Sequence, residues 1–179
     1  LQELFLKIRE NLQIRRFVRL EGTLMPYIHG GGKIGVMVRV ESSDGASEAA
    51  LTVAKDCALQ IAAMNPAYLN REAVPASVLE EEKTIVLSQM AEDPKMAAKP
   101  EQVRAKIAEG KVGKYFSENC LLEQTFVKDG SMTVQQYVDS AAKAAGTSIK
   151  VVEYVRFERG EGIEKKADNF AEEIASMIK

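Results

Sequence analysis

Hydrophobic and polar positions alternate most cleanly in the middle of the first third of the chain, where Ile34, Val36, Val38 and Val40 fall on one side of an extended run. A shorter extended piece at residues 24–29 precedes it, and Gly30-Gly31-Gly32 supplies a turn between the two. Residues 42–45 close the second run, so the stretch predicts an antiparallel hairpin. Residues 14–21 predict a further strand, with Ile14, Arg16, Val18 and Leu20 on one face and Arg15, Phe17, Arg19 and Glu21 on the other. Neither of those faces is purely apolar. The string Phe17-Val18-Arg19-Leu20-Glu21-Gly22 is echoed near the other end by Tyr154-Val155-Arg156-Phe157-Glu158-Arg159-Gly160. There residues 151–158 predict a strand with Val151, Val155 and Phe157 inward, interrupted by Glu153.

Between these segments the apolar period lengthens to that of a helix. Residues 47–64 predict a helix capped by Ser47, with Ala50, Val53, Ala54, Cys57, Ala58, Ile61, Ala62 and Met64 in a broad stripe of mostly small residues. Asn65-Pro66 stops it. Residues 77–90 and 101–116 predict two highly charged helices with a narrow apolar seam, separated by a loop between Pro94 and Pro100. They read as an antiparallel helical arm, with a plain packing unit inside the core as the alternative. Phe126 to Gly130 reads as a loop, residues 133–145 as a helix ended by Gly146, and a last short helix opens at Asp168 or Asn169. Residues 3–9 fit the end of another helix. The predicted class is α+β: a small antiparallel sheet packed with helices, carrying an inserted helical arm.

Composition narrows the function. The 179 residues are 46% hydrophobic and 28% charged with a net charge of -2, which gives no global attraction to nucleic acid or to an anionic membrane. No apolar run approaches the roughly 20 residues of a membrane span. Cys57 and Cys120, far apart, suit a reduced cytoplasmic protein, not a disulfide framework. His29-Gly30-Gly31-Gly32 spells the glycine string of some esterases, but the chain has a single histidine and no Gly-x-Ser-x-Gly elbow. Gly31-Gly32-Lys33 is followed by Ile34 and fails the phosphate-loop spacing. One histidine and two distant cysteines form no convincing zinc set. Glu80-Glu81-Glu82 points around a helix, as a solvated face does. Arg15, Arg16, Arg19 and Lys33 form a local basic cluster, yet Glu21, Glu41 and Asp44 interleave with it, so direct nucleic-acid binding is disfavoured. The expectation is a chain without cofactor, metal or catalytic set that works by binding another protein.

Several strings, in order, carry a resemblance. They are Glu10-Asn11-Leu12-Gln13-Ile14-Arg15-Arg16, Leu20-Glu21-Gly22, Tyr27-Ile28-His29-Gly30 before Lys33-Ile34-Gly35-Val36-Met37-Val38, Ile61-Ala62-Ala63-Met64-Asn65-Pro66, Phe126-Val127, and Val155 through Lys165. Together the chain resembles bacterial translation elongation factor Ts, the guanine-nucleotide exchange partner of elongation factor Tu. The resemblance implies that residues 1–74 and 114–164 form the second half of the family's core, residues 75–113 its inserted helical dimerisation arm, and residues 165–179 its carboxy-terminal helical module. The family's exchange motif Thr-Asp-Phe-Val, which wedges into the partner's nucleotide domain, does not occur here. The expectation is therefore a carboxy-terminal core fragment, without the amino-terminal domain and first core half, that docks on elongation factor Tu and lacks the wedge.

The resemblance also implies which residues dock. His29 matches the histidine of the family's Tyr-x-His-Gly motif, a contact to the partner's third domain; a hydrogen bond on the near side of the turn is the competing role. Ile8 matches a position at the partner surface, with packing alone as the alternative. Phe126 and Val127 match a loop at that surface, against a core reading. A homodimer through the arm is the further partner implied.

Overall fold

The computed structural model describes residues 1–10 and 13–163. The helix opening at Asp168 or Asn169, and with it the module at 165–179, lies outside the described residues.

Three strands make the main sheet, all antiparallel, in the order β1 (Thr23–His29), β2 (Ile34–Ser42), β5 (Ile149–Glu158). The central strand is the one whose sequence alternates best. Ile34, Val36, Val38 and Val40 are all buried, because alternate side chains of a strand point to one face and here that face is covered. Helix α2 (Glu48–Met64) lies on it. Ser47 caps α2 by accepting the Ala50 amide at 3.3 Å, and Asn65 ends it in the left-handed conformation. Ala50, Val53, Ala54, Cys57, Ala58, Ile61 and Ala62 are buried as the stripe requires. Met64 is not: the helix ends there, and the side chain is 51% exposed.

Helix α6 (Val134–Ala145) completes the helical layer with Val134 and Val138 buried and Tyr137, Ala141 and Ala142 packed behind them. Thr133 and Gln136 form a reciprocal capping box at its start, and Gly146 ends it with φ 66°.

Helix α3 (Ala76–Glu92), a short helix α4 (Pro94–Ala97) and helix α5 (Glu101–Asn119), which follow α2 in the chain, form a helical hairpin. It has its own small cluster of Val86, Met90 and Ala108, separate from the main core. Its two ends are tied together at the base: Tyr68 bridges Cys120, the Asn119 carbonyl accepts the Ala67 and Tyr68 amides, and the Leu121 amide donates to the Tyr68 carbonyl. A segment that leaves and rejoins the core at one point can be added without disturbing the sheet. The Pro94–Pro100 stretch is thus partly helical where a loop was expected, since Asp93 caps it and Pro94 suits the first helical turn.

Two expectations about strands are corrected. Residues 14–21 form no strand; residues 13–21 are irregular and join no strand ladder among the described residues. The mixed polarity of both faces left no apolar side to bury. Val155 and Phe157 do not share a face with Val151. A register shift between Arg39 and Val40 pairs Arg39 with Glu153 and Val40 with Val151, leaving Val152 as an extra residue on β5. Such a bulge inverts the alternation beyond it. Tyr154 therefore joins the core, whereas Val155 and Phe157 lie with Leu24, Pro26, Ile28 and Met37 on the sheet's other face, along a groove of about 440 Å³ also lined by Val18 and Leu20. Residues 126–130, expected to be a loop, belong to a tiny hairpin of β3 (Thr125–Phe126) and β4 (Asp129–Thr133).

Truncating Ile61 to alanine should lower unfolding free energy in urea by about 2–5 kcal/mol, the range for a large-to-small change in a packed core. Met64→Ala, on the same helix, should stay within about 0.5 kcal/mol of the parent.

Candidate docking surface

His29 ends β1 and is exposed. The chain then reverses through Gly30, Gly31 and Gly32 at φ 59°, 62° and 90°, a left-handed run that side chains resist, and the Lys33 amide closes the turn on the His29 carbonyl at 3.1 Å. Strand parity places Tyr27 and His29 on the same face, and the Tyr27 hydroxyl sits 3.0 Å from His29 Nδ1 with the rings 5.9 Å apart. The Tyr-x-His spacing has this local physical meaning. In the tautomer whose Nδ1 accepts a hydrogen bond from the phenol, the ring N–H sits on Nε2 and can donate to a partner.

Phe126 and Val127 part company. Phe126 is buried and stacks on Tyr137 with centroids 4.2 Å apart and planes at 17°. Val127, at the hairpin tip, is 46% exposed. Ile8 is the last residue of α1 (Gln2–Ile8), an element with no buried residues, and is exposed. The three exposed positions thus stand on three different elements, and no hydrogen bond joins His29 to the Phe126-Val127 hairpin among the described residues. Sequence reasoning missed the residues that hold that hairpin: Asp56 and Gln60 of α2, both buried, and Lys128 and Tyr137 opposite them. The available signal was a polar pair one turn apart inside an otherwise apolar stripe.

The basic cluster is largely neutralised within the chain. Arg15 donates to the Glu161 carbonyl, Arg16 pairs with the Glu161 carboxylate and lies over the Phe157 ring, and Arg19 pairs with Glu21. The hydrogen bond from Arg16, helped by the Glu158 amide, holds the Glu161 carboxyl below its ordinary range, and Arg156 does the same for Glu158. The Arg15 and Arg16 contacts strap the irregular segment 13–21 to the turn after β5.

Among the described residues no group of three His, Cys, Asp or Glu side chains is placed to hold a metal ion, and no helix is long and apolar enough to cross a membrane. Burial, and to a smaller degree the neighbouring Asp56, pushes the Cys57 thiol up to about 12; burial with Glu123 takes Cys120 to about 11.

Exposed residues thus stand on hydrogen-bonded turns of a small α+β fold. The family model for "Elongation factor TS" matches residues 1–161, and the chain belongs to that family. It is 45% identical over 181 residues to an elongation factor Ts of Clostridium kluyveri, covering 99% of this chain and 58% of the relative. Its identity to that of Clostridium botulinum strain Eklund 17B is 46% over 178 residues, 98% of this chain and 57% of the relative. For Syntrophotalea carbinolica the figures are 45% over 175 residues, 96% and 56%. The chain thus spans somewhat under three fifths of these curated relatives.

With both thiols buried and protonated, Ellman's reagent at pH 8 should leave Cys57 and Cys120 unmodified in the native protein and react with both in guanidinium. Rapid native reaction of either would contradict the packing described.

Proposed function

We propose that this chain docks on elongation factor Tu, and that in the full-length protein this docking supports release of GDP. The observation that carries the reading is the family match across residues 1–161, joined to the exposed His29 on a turn that three left-handed glycines fix. Exchange of this kind is linkage and needs no covalent step. A partner that binds the nucleotide-free GTPase more tightly must weaken nucleotide binding by the same coupling free energy. The chain has no Thr-Asp-Phe-Val wedge, so its share is anchoring: His29 at the β1–β2 turn, Val127 at the β3–β4 turn with Phe126 as its buried root, and Ile8 on α1.

A second reading concerns the helical hairpin as a dimerisation arm. Ile85, Leu87 and Val103 are exposed on it, while its internal cluster is small. Direct nucleic-acid binding has less support, because Arg15, Arg16 and Arg19 already meet acidic or carbonyl partners inside the chain.

Calorimetric titration with elongation factor Tu should give saturable binding, and His29→Ala should weaken it by about five- to tenfold, the worth of one hydrogen bond, with an unchanged melting curve. Equal affinity of variant and parent would reject the contact. Replacing residues 75–113 by a short linker should abolish self-association in sedimentation; an unchanged association state would remove the arm from the dimer interface.

A further inference from the structure

Helix α2 carries two polar side chains inside its apolar inward face, and both serve one short stretch of chain. Asp56 and Gln60 lie one turn apart and both are buried. Gln60 Nε2 donates to the Thr125 carbonyl at 3.1 Å and to Gln124 Oε1 at 3.1 Å, while Gln60 Oε1 accepts the Val127 amide at 2.8 Å. One side-chain amide therefore holds the backbone on both sides of Phe126, as a neighbouring strand would. Asp56 accepts from the Lys128 ammonium and, at 2.7 Å, from the Tyr137 hydroxyl. The Tyr137 ring in turn stacks on Phe126. Gln124 is itself buried and donates to the Glu118 carbonyl at 2.8 Å. Every residue from 124 to 128 is thus tied down through backbone or side chain; Thr125, Val127 and Lys128 are exposed, and of these Val127 is the apolar one.

Buried polar groups are a poor way to gain stability. Desolvating them costs free energy that their hydrogen bonds only offset, and a well-packed apolar replacement of the same shape is often as stable. What Asp56 and Gln60 add is a single conformation of the loop. A loop fixed beforehand does not lose its entropy at the moment of binding, which raises affinity without any new contact.

We propose that Asp56 and Gln60 are positioning residues for partner binding: through Lys128, Tyr137 and the backbone of residues 125–127 they hold Val127 as a rigid apolar knob that enters an apolar recess on the partner GTPase. This inference rests on the docking reading above and adds to it the device that makes the hairpin tip competent. Asp56 and Gln60 need not touch the partner.

The test is a double-mutant cycle on the full chain, read as affinity for elongation factor Tu, with hydrogen exchange of the Val127 amide measured alongside. Val127→Ala should weaken binding by about fifteenfold, as loss of two buried methyl groups does. Lys128→Met keeps the aliphatic stem and removes the ammonium; it should weaken binding severalfold and speed Val127 amide exchange. Asp56→Asn, which keeps an acceptor for Tyr137 and removes the charge facing Lys128, should do the same. In either loosened background Val127→Ala should cost little more, since the knob is no longer held in place. A full, additive cost of Val127→Ala in both backgrounds, or unchanged amide exchange, would overturn the positioning role while leaving docking intact. Parent-like affinity of Val127→Ala alone would overturn the docking role of the tip, and the positioning proposal with it.

Discussion

The close approach of α2 to the sheet is the constraint on which the rest depends. Its inward face is built mainly from Ala50, Ala54, Cys57, Ala58 and Ala62, so the helix lies near the alternating valines of β2. Close-packed interiors transmit small volume changes, so this layer fixes the depth at which everything attached to α2 sits. The attachments include the β3–β4 hairpin, bonded to Gln60 and Asp56, and α6, packed beside α2 through Val134 and Val138. The β1–β2 turn with His29 hangs from the same central strand. Both turns proposed to meet a partner are thus extensions of one rigid layer.

Much of this was legible in the residues. The β2 alternation, the Ser47 cap, the small-residue stripe, the Gly146 stop and the two charged helices each follow from local chemistry that the tertiary structure does not override. What escaped reading was non-local. The bulge at Val152 depends on pairing with β2, and no pattern within β5 announces it, so Val155 and Phe157 were assigned to the wrong face. Residues 14–21 have strand-like composition, yet Arg15 and Arg16 reach Glu161 and Phe157 instead of pairing in a ladder. On the candidate surface, the Phe126-Val127 dipeptide was visible, but its division into a buried root and an exposed tip was not, because that depends on Tyr137 arriving from another helix.

A wedge that disturbs a nucleotide site must be held in place by contacts that do not themselves distort the GTPase, and rigid turns on a packed sheet suit that role. Affinity from such an anchor depends more on how little it must reorganise than on the area it covers. The compact side chains proposed as contacts at the two turns, one imidazole and one valine, agree with anchoring by preset geometry.

Docking through the two turns can be read by hydrogen exchange across the whole chain, alone and saturated with elongation factor Tu. Exchange should slow in the β1–β2 turn around residues 27–33 and in the hairpin at 125–129, with little change in the helical hairpin. Protection confined to the helical hairpin, or none anywhere at saturation, would contradict that docking.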